Sequence, residues 1–190
     1  MLGSACSISQ RRLAACGFVC LLALSPACRH KPAISPPPTA APADLASLEP
    51  DQVNTAGWDK AWTNLVNDAE QSFVPSLPSL AGVEVELVVG NAGAAEDELT
   101  LTILDAAGQT LAAVTKTVAT SNSDHVWFVI PGGGAEVSPG QIYRLKLTGG
   151  TTFGWKYVVG GYNKGEATFN GKPLLPGTRS TFLFRTFGAK

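Results

Sequence analysis

Beyond residue 28 the chain has no cysteine: Cys6, Cys16, Cys20 and Cys28 all sit at its N-terminal end. The region that follows therefore has neither a disulfide framework nor a thiolate metal site. Charge is also scarce. Charged residues make up 15% of the chain, against about 25% in an average soluble domain. The basic residues are scattered rather than striped, which excludes the phosphate-neutralising surface that nucleic-acid binding needs. Histidine is nearly absent, with His125 the only one past His30. No apolar run approaches the roughly 20 residues of a membrane-spanning helix; the longest such stretch, residues 13–27, is 15 residues long.

What that stretch resembles is the apolar region of a secretion signal, preceded by the charged pair Arg11 and Arg12. Residues 1–27 are read as a signal peptide. Ser25 and Ala27 supply the small residues that an ordinary signal peptidase wants, with the cut after Ala27. The run Leu24, Ser25, Pro26, Ala27, Cys28 also resembles a bacterial lipobox, which implies cleavage at the same bond and lipidation of Cys28. Ser25 and Pro26 depart from the usual pattern. A lone exported cysteine at the new terminus favours the lipid. Two or more acyl chains anchor firmly, since each buried methylene contributes about 0.8 kcal/mol. Loss of Arg11 and Arg12 leaves 12 of the 14 basic residues against 15 acidic ones, taking the net charge from -1 to -3.

Residues 28–50 then form a proline-rich tether with few large apolar side chains. Such a segment cannot bury enough surface to fold and is expected to be disordered and extended, rising about 3.1 Å per residue.

Residues 51–190 are expected to be one all-β domain, with its core over about 71–190. Trp58, Trp62, Leu65 and Val66 fit either a short helix over 58–68 or an irregular first strand. From residue 71 the two-residue alternation takes over. Val83, Val85 and Leu87 alternate with Glu84 and Glu86; Leu99, Leu101 and Ile103 alternate with Thr100 and Thr102. Asp105 to Gly108 reads as a tight turn into a hairpin partner over 111–118. Val126, Phe128 and Ile130, then Tyr143, Leu145 and Leu147, then Phe153, Trp155 and Tyr157 continue the pattern. The total is eight or nine antiparallel strands with the spacing of a β-sandwich.

These segments carry a resemblance: QSF at 71–73, LAGVEV at 80–85, ELTLTI at 98–103, VSPGQIYRL at 137–145, Gly154 with Trp155, and FLFRTF at 182–187. The series resembles the jelly-roll modules of bacterial secreted and surface proteins, which are similar to carbohydrate-binding modules. The resemblance implies a jelly-roll-like β-sandwich in the cell envelope.

Chemistry is sparse. Ser121, Ser123, Asp124 and His125 are the residue types of a hydrolytic triad, but neighbours on one strand point to opposite faces. Glu96, Asp97, Glu98 and Asp105 could offer oxygens to a structural calcium, without the spacing of a dedicated loop. Glu84 and Glu86 share a strand face, as a carboxylate pair of a glycosidase would, and as two ordinary surface residues do. No enzyme and no cofactor are expected. The aromatics are the better lead, because sugar rings stack on flat indole and phenol faces. Trp155 and Tyr157, with Tyr162, Asn163 and Lys164 in the loop beyond, are the candidate ligand-binding residues. They form a platform if they face solvent and core if they face inward; Trp58, Trp62 and Trp127 carry the same ambiguity. The expected role is an envelope-anchored binding module for polysaccharide or glycoconjugate, or else a structural or protein-interaction lipoprotein without sugar affinity.

Overall fold

The computed structural model describes residues 47–65, 68–91 and 94–188. The expected signal, Cys28 and the tether up to residue 46 lie outside them.

The described chain is all-β. Its strands in order are β1 (Pro50–Asn54), β2 (Ala61–Asn64), β3 (Ala69–Phe73), β4 (Ser79–Leu80), β5 (Gly82–Val85), β6 (Leu87–Val89), β7 (Glu96–Leu104) and β8 (Thr110–Ala119). Then come β9 (Val126–Val129), β10 (Ala135–Glu136), β11 (Tyr143–Gly149), β12 (Phe153–Val159), β13 (Ala167–Phe169), β14 (Lys172–Pro173), β15 (Ser180–Phe182) and β16 (Phe184–Phe187). Sixteen segments exceed the eight or nine expected, partly because long paths are broken at single residues: Ala81 and Glu86 divide β4, β5 and β6, and Leu183 divides β15 from β16.

No α-helix occurs among the described residues. The helix considered over 58–68 is replaced by strand at Ala61–Asn64. Gly57 and Lys60 take positive φ values of 80° and 61°, which a right-handed helix cannot pass through. The backbone of β2 instead pairs with β12, Trp62 lying opposite Lys156. The fold also begins earlier than the alternation from residue 71 suggests. Strand β1 pairs with β16, and Leu48 packs near Phe187.

Every pairing is antiparallel. One sheet has six strands in the order β14-β13-β3-β11-β7-β8. The expected hairpin is its outer pair, β7 and β8, turned where Asp105 Oδ1 accepts the Gln109 N–H at 2.8 Å and Gly108 has φ 83°. Opposite lie β1-β16-β5-β9 and the group β15-β12-β2, with β6 also on β12. A short β10-β4 pair completes the set.

Three of these ladders meet at one point. Lys156 N–H bonds Glu86 O at 3.1 Å, Glu86 N–H bonds Leu183 O at 3.3 Å, and Leu183 N–H bonds Lys156 O at 2.9 Å. The ring satisfies backbone groups where β5 and β16 part and turn along β12 in opposite directions. That is why both paths break there.

The apolar residues of the alternation fill the space between the layers. Leu99, Leu101, Ile103, Leu145 and Leu147 come from the six-stranded sheet, and Val83, Val85, Phe128, Phe182 and Phe184 from the other side. Phe73 meets Phe184 edge-on with centroids 6.4 Å apart. The result is sandwich-like, and its outward positions are free to carry chemistry.

Candidate functional site

The five residues expected to form a ligand platform do not share a surface. The Trp155 side chain is fully buried. Its ring lies flat on Phe182, centroids 4.3 Å apart and planes 10° from parallel, and its Nε1–H donates to Leu183 O at 2.8 Å. Tyr157 is half-buried and meets Phe182 edge-on. The stripe Phe153, Trp155, Tyr157 thus points toward the six-stranded sheet, and the solvent-facing platform is corrected to core.

Tyr162 is buried as well. Its hydroxyl donates to Gln52 Oε1 at 2.9 Å and accepts the Val74 N–H at 3.2 Å. Burial pushes its phenol above the ordinary 10.0, the Val74 hydrogen bond pulling down and the Asp51 charge adding to the rise. Only Asn163 and Lys164 are exposed; the Asn163 carbonyl accepts Arg179 Nη1 at 3.4 Å.

Two of the four acidic residues considered for calcium are otherwise engaged. Asp97 accepts the Glu98 and Thr152 N–H groups, and Asp105 closes its turn. Among the described residues no three His, Cys, Asp or Glu side chains group to hold a metal.

Functional groups gather instead on the outward face of the opposite layer. Trp127, Glu84, Arg185 and Val53 are successive ladder partners across β9, β5, β16 and β1, and residues directly opposite share a face. Between Trp127 and Arg185, the Glu84 side chain is only 3% exposed. Its Oε1 lies 2.6 Å from His125 Nδ1, and its Oε2 accepts Arg185 Nη1 at 3.0 Å. Leaving a buried carboxylate without such partners would be costly. Asp124 and His125, adjacent in the chain, go to different partners: His125 to Glu84, Asp124 to Lys156. The Ser, Asp and His of this segment therefore do not form a relay.

Lys156 is the second centre. Its ammonium donates to Asp124 Oδ1 at 3.1 Å, lies 3.9 Å from Glu86 Oε2 and sits 4.7 Å from the centroid of the Trp58 ring, within cation–π range. Burial pushes the Glu86 carboxyl above its ordinary 4.5. Lys156, His125 and Arg185 oppose that rise, and Glu84 adds to it.

Two indoles flank Lys156, and both lie against backbone. Trp58 Nε1–H donates to Ala61 O at 2.9 Å. Trp62, across the ladder from Lys156, lies over Gly154, where a Cβ would collide with its Cδ1. They remain 37% and 47% exposed.

Beside these groups a cleft of 440 Å³ opens between β8 and β9, lined by Lys116, Thr117, Ser121, Asp124, His125 and Trp127 among others. These are the outer strands of their sheets and are joined here by Lys116 Nζ donating to Trp127 O at 3.0 Å. Asp124 and His125 belong both to the cleft and to the charged clusters.

The sequence places Glu84 and Glu86 on one face, but Lys156, Arg185 and the convergence of these groups were not foreseen. The available signal was a set of single charges at outward positions of otherwise apolar strands. No protein-family model and no curated protein matches the chain.

Proposed function

We propose that this chain is a non-catalytic binding module of the bacterial envelope, taking polysaccharide or glycoconjugate on the face around Lys156. The observation that carries the reading is the pair of exposed indoles flanking Lys156, Trp58 anchored through its Nε1–H and Trp62 lying on Gly154. A fixed, flat apolar ring stacks on the C–H face of a sugar at small entropic cost. Beside them, the exposed carboxylate of Asp124 offers oxygens to hydroxyl groups, while Lys156 and Glu86, both largely buried, support Asp124 and the Trp58 ring from beneath. An apolar surface with a few oriented polar groups is the usual make-up of a small-ligand site. His125 is oriented by Glu84, and no hydroxyl or thiol nucleophile is found bonded to it among the described residues, so the module is read as binding rather than cleaving.

The antiparallel sandwich is taken as a jelly roll, exported by residues 1–27 and anchored through lipid on Cys28. Among the described residues no helix is long and apolar enough to cross a membrane.

The test is a glycan panel with the full chain in mild detergent, following tryptophan fluorescence, with Trp58→Ala and Trp62→Ala beside the wild type. Saturable binding that both substitutions weaken, in proteins with unchanged circular dichroism, supports the assignment. Absence of binding to every glycan removes it.

One observation favours a second reading, a protein-interaction role. Strand β8 spans ten residues, Thr110–Ala119, at the outer edge of the six-stranded sheet, and Lys116 is its only charge. An open edge of this length can accept a strand from another chain.

A further inference from the structure

We infer that the β8–β9 cleft continues the indole platform and that the ligand is an internal stretch of an extended, linear, uncharged glycan rather than a terminal sugar. The inference rests on the glycan reading above.

The continuity runs through shared residues. Trp62 stands opposite Lys156 on the β2–β12 ladder, and Lys156 lies beneath Trp58. The Lys156 ammonium holds Asp124, and Asp124 with His125 forms one wall of the cleft. Platform and cleft are thus two ends of one surface, with no break in the chain of contacts between them.

Its extent excludes a single sugar. From Trp62 on β2 the path crosses one ladder step of about 4.8 Å to Lys156 on β12, continues through Asp124 to the residues before β9, and the cleft then adds the width up to β8. A monosaccharide covers one end only. A chain passing along the surface reaches both and leaves at either side, because the cleft lies between two outer strands instead of ending in a closed pocket.

The lining selects against charge. Lys116 and Asp124 oppose each other in sign, and His125 faces the carboxylate of Glu84. Thr117 and Ser121 add hydroxyls. Such a wall offers donors and acceptors together, as a polyhydroxylated neutral chain requires, and has no surplus of cations for an acidic one.

The probes are linear β-1,4-linked gluco-, xylo- and N-acetylglucosamine oligosaccharides from disaccharide to hexasaccharide, titrated calorimetrically into the full chain. Affinity for the bound series rises about tenfold or more with length, a gain of at least about 1.4 kcal/mol. Thr117→Trp, which adds bulk to the cleft lining at the exposed edge of β8, erases that gain. Trp62→Ala weakens every length. Ser121→Trp, on the neighbouring wall, repeats the block if Thr117→Trp does not fold. Length-independent affinity, or full hexasaccharide binding in both folded cleft variants, overturns the inference while leaving the platform reading intact. Failure of every oligosaccharide to bind the wild type overturns both.

Discussion

Trp155 and Phe182 stack face to face across the β12–β15 junction, 4.3 Å between centroids and 10° between planes, and this contact makes the aromatic stripe of β12 part of the core. The stack is locked at its polar end, where the Trp155 indole N–H bonds Leu183 O. Leu183 is itself one corner of the three-ladder junction, so the ring ties the core to the point where the strands part.

Trp155→Ala is therefore expected to destabilise the fold by about 3–5 kcal/mol, the usual cost of removing a large buried aromatic. Trp155→Phe keeps the stack, loses the hydrogen bond and costs less. Urea unfolding followed by circular dichroism measures both. A Trp155→Ala protein as stable as the wild type would show that the ring is not core.

The outcome at Trp155 shows where sequence reading reaches its limit. Alternation along Phe153, Trp155 and Tyr157 places three aromatics on one face, but it is silent on which face meets the other sheet. That is decided by partners far away in the chain, here Phe182, 27 positions from Trp155. The all-β character was legible because Val, Leu, Ile and Phe recur every second residue between turns such as that from Asp105 to Gly108. The site was not. Glu84, Lys156 and Arg185 sit on β5, β12 and β16, and each alone looks like an ordinary outward charge. The spacing of Trp58 and Trp62 left a helix turn and an irregular strand both open; positive φ at Gly57 and Lys60 and the pairing of β2 with β12 decide for the strand.

Gly154 and Trp62 are coupled. A strand interior ordinarily favours a β-branched residue over glycine, yet any Cβ at Gly154 runs into the Trp62 indole. Gly154→Val is expected to destabilise by about 1–3 kcal/mol, as overpacking does. Trp62→Ala, at an exposed position, stays within about 0.5 kcal/mol of the wild type. Combined, the two cost less than their sum, since the indole that valine strikes is gone. Additive effects in this double-mutant cycle would mean that Gly154 is needed for its backbone and not for the indole.

Glu86 predicts a pH dependence with a defined sign. Burial holds its carboxyl above 4.5 in the folded protein, so the folded state keeps this proton where the unfolded chain has released it. Stability linked to the group is complete below 4.5 and declines as pH rises through the folded value. Glu86→Gln removes that decline. The difference in urea midpoint between variant and wild type, taken from below 4.5 up to neutrality, should shift in favour of the variant as pH rises. A constant difference would show that Lys156 compensates the burial fully. Lys156 keeps Asp124 as its partner in the variant, so the platform under Trp58 stays in place.

Tyr162 makes the last case, and it separates a structural role from a binding one. Its hydroxyl joins Gln52 on β1 to the Val74 N–H just past β3, and its ring stands edge-on to Phe184, 5.3 Å between centroids. Tyr162→Phe preserves the ring and strands both polar partners away from water. The expected loss is about 1–3 kcal/mol, the penalty for leaving a buried group unsatisfied. Alkaline titration adds a second reading. The phenol is held above 10.0, so the folded state retains this proton longer than the unfolded chain does. The linked stability is complete below 10.0 and is lost as pH rises through the folded value. In the folded protein, tyrosinate absorbance should show one phenol ionising late, and Tyr162→Phe should remove that phase. Glycan affinity should not change, because the hydroxyl faces β1 and β3 rather than the surface around Lys156. A selective loss of binding without loss of stability would instead move the ligand to the loop that holds Asn163 and Lys164.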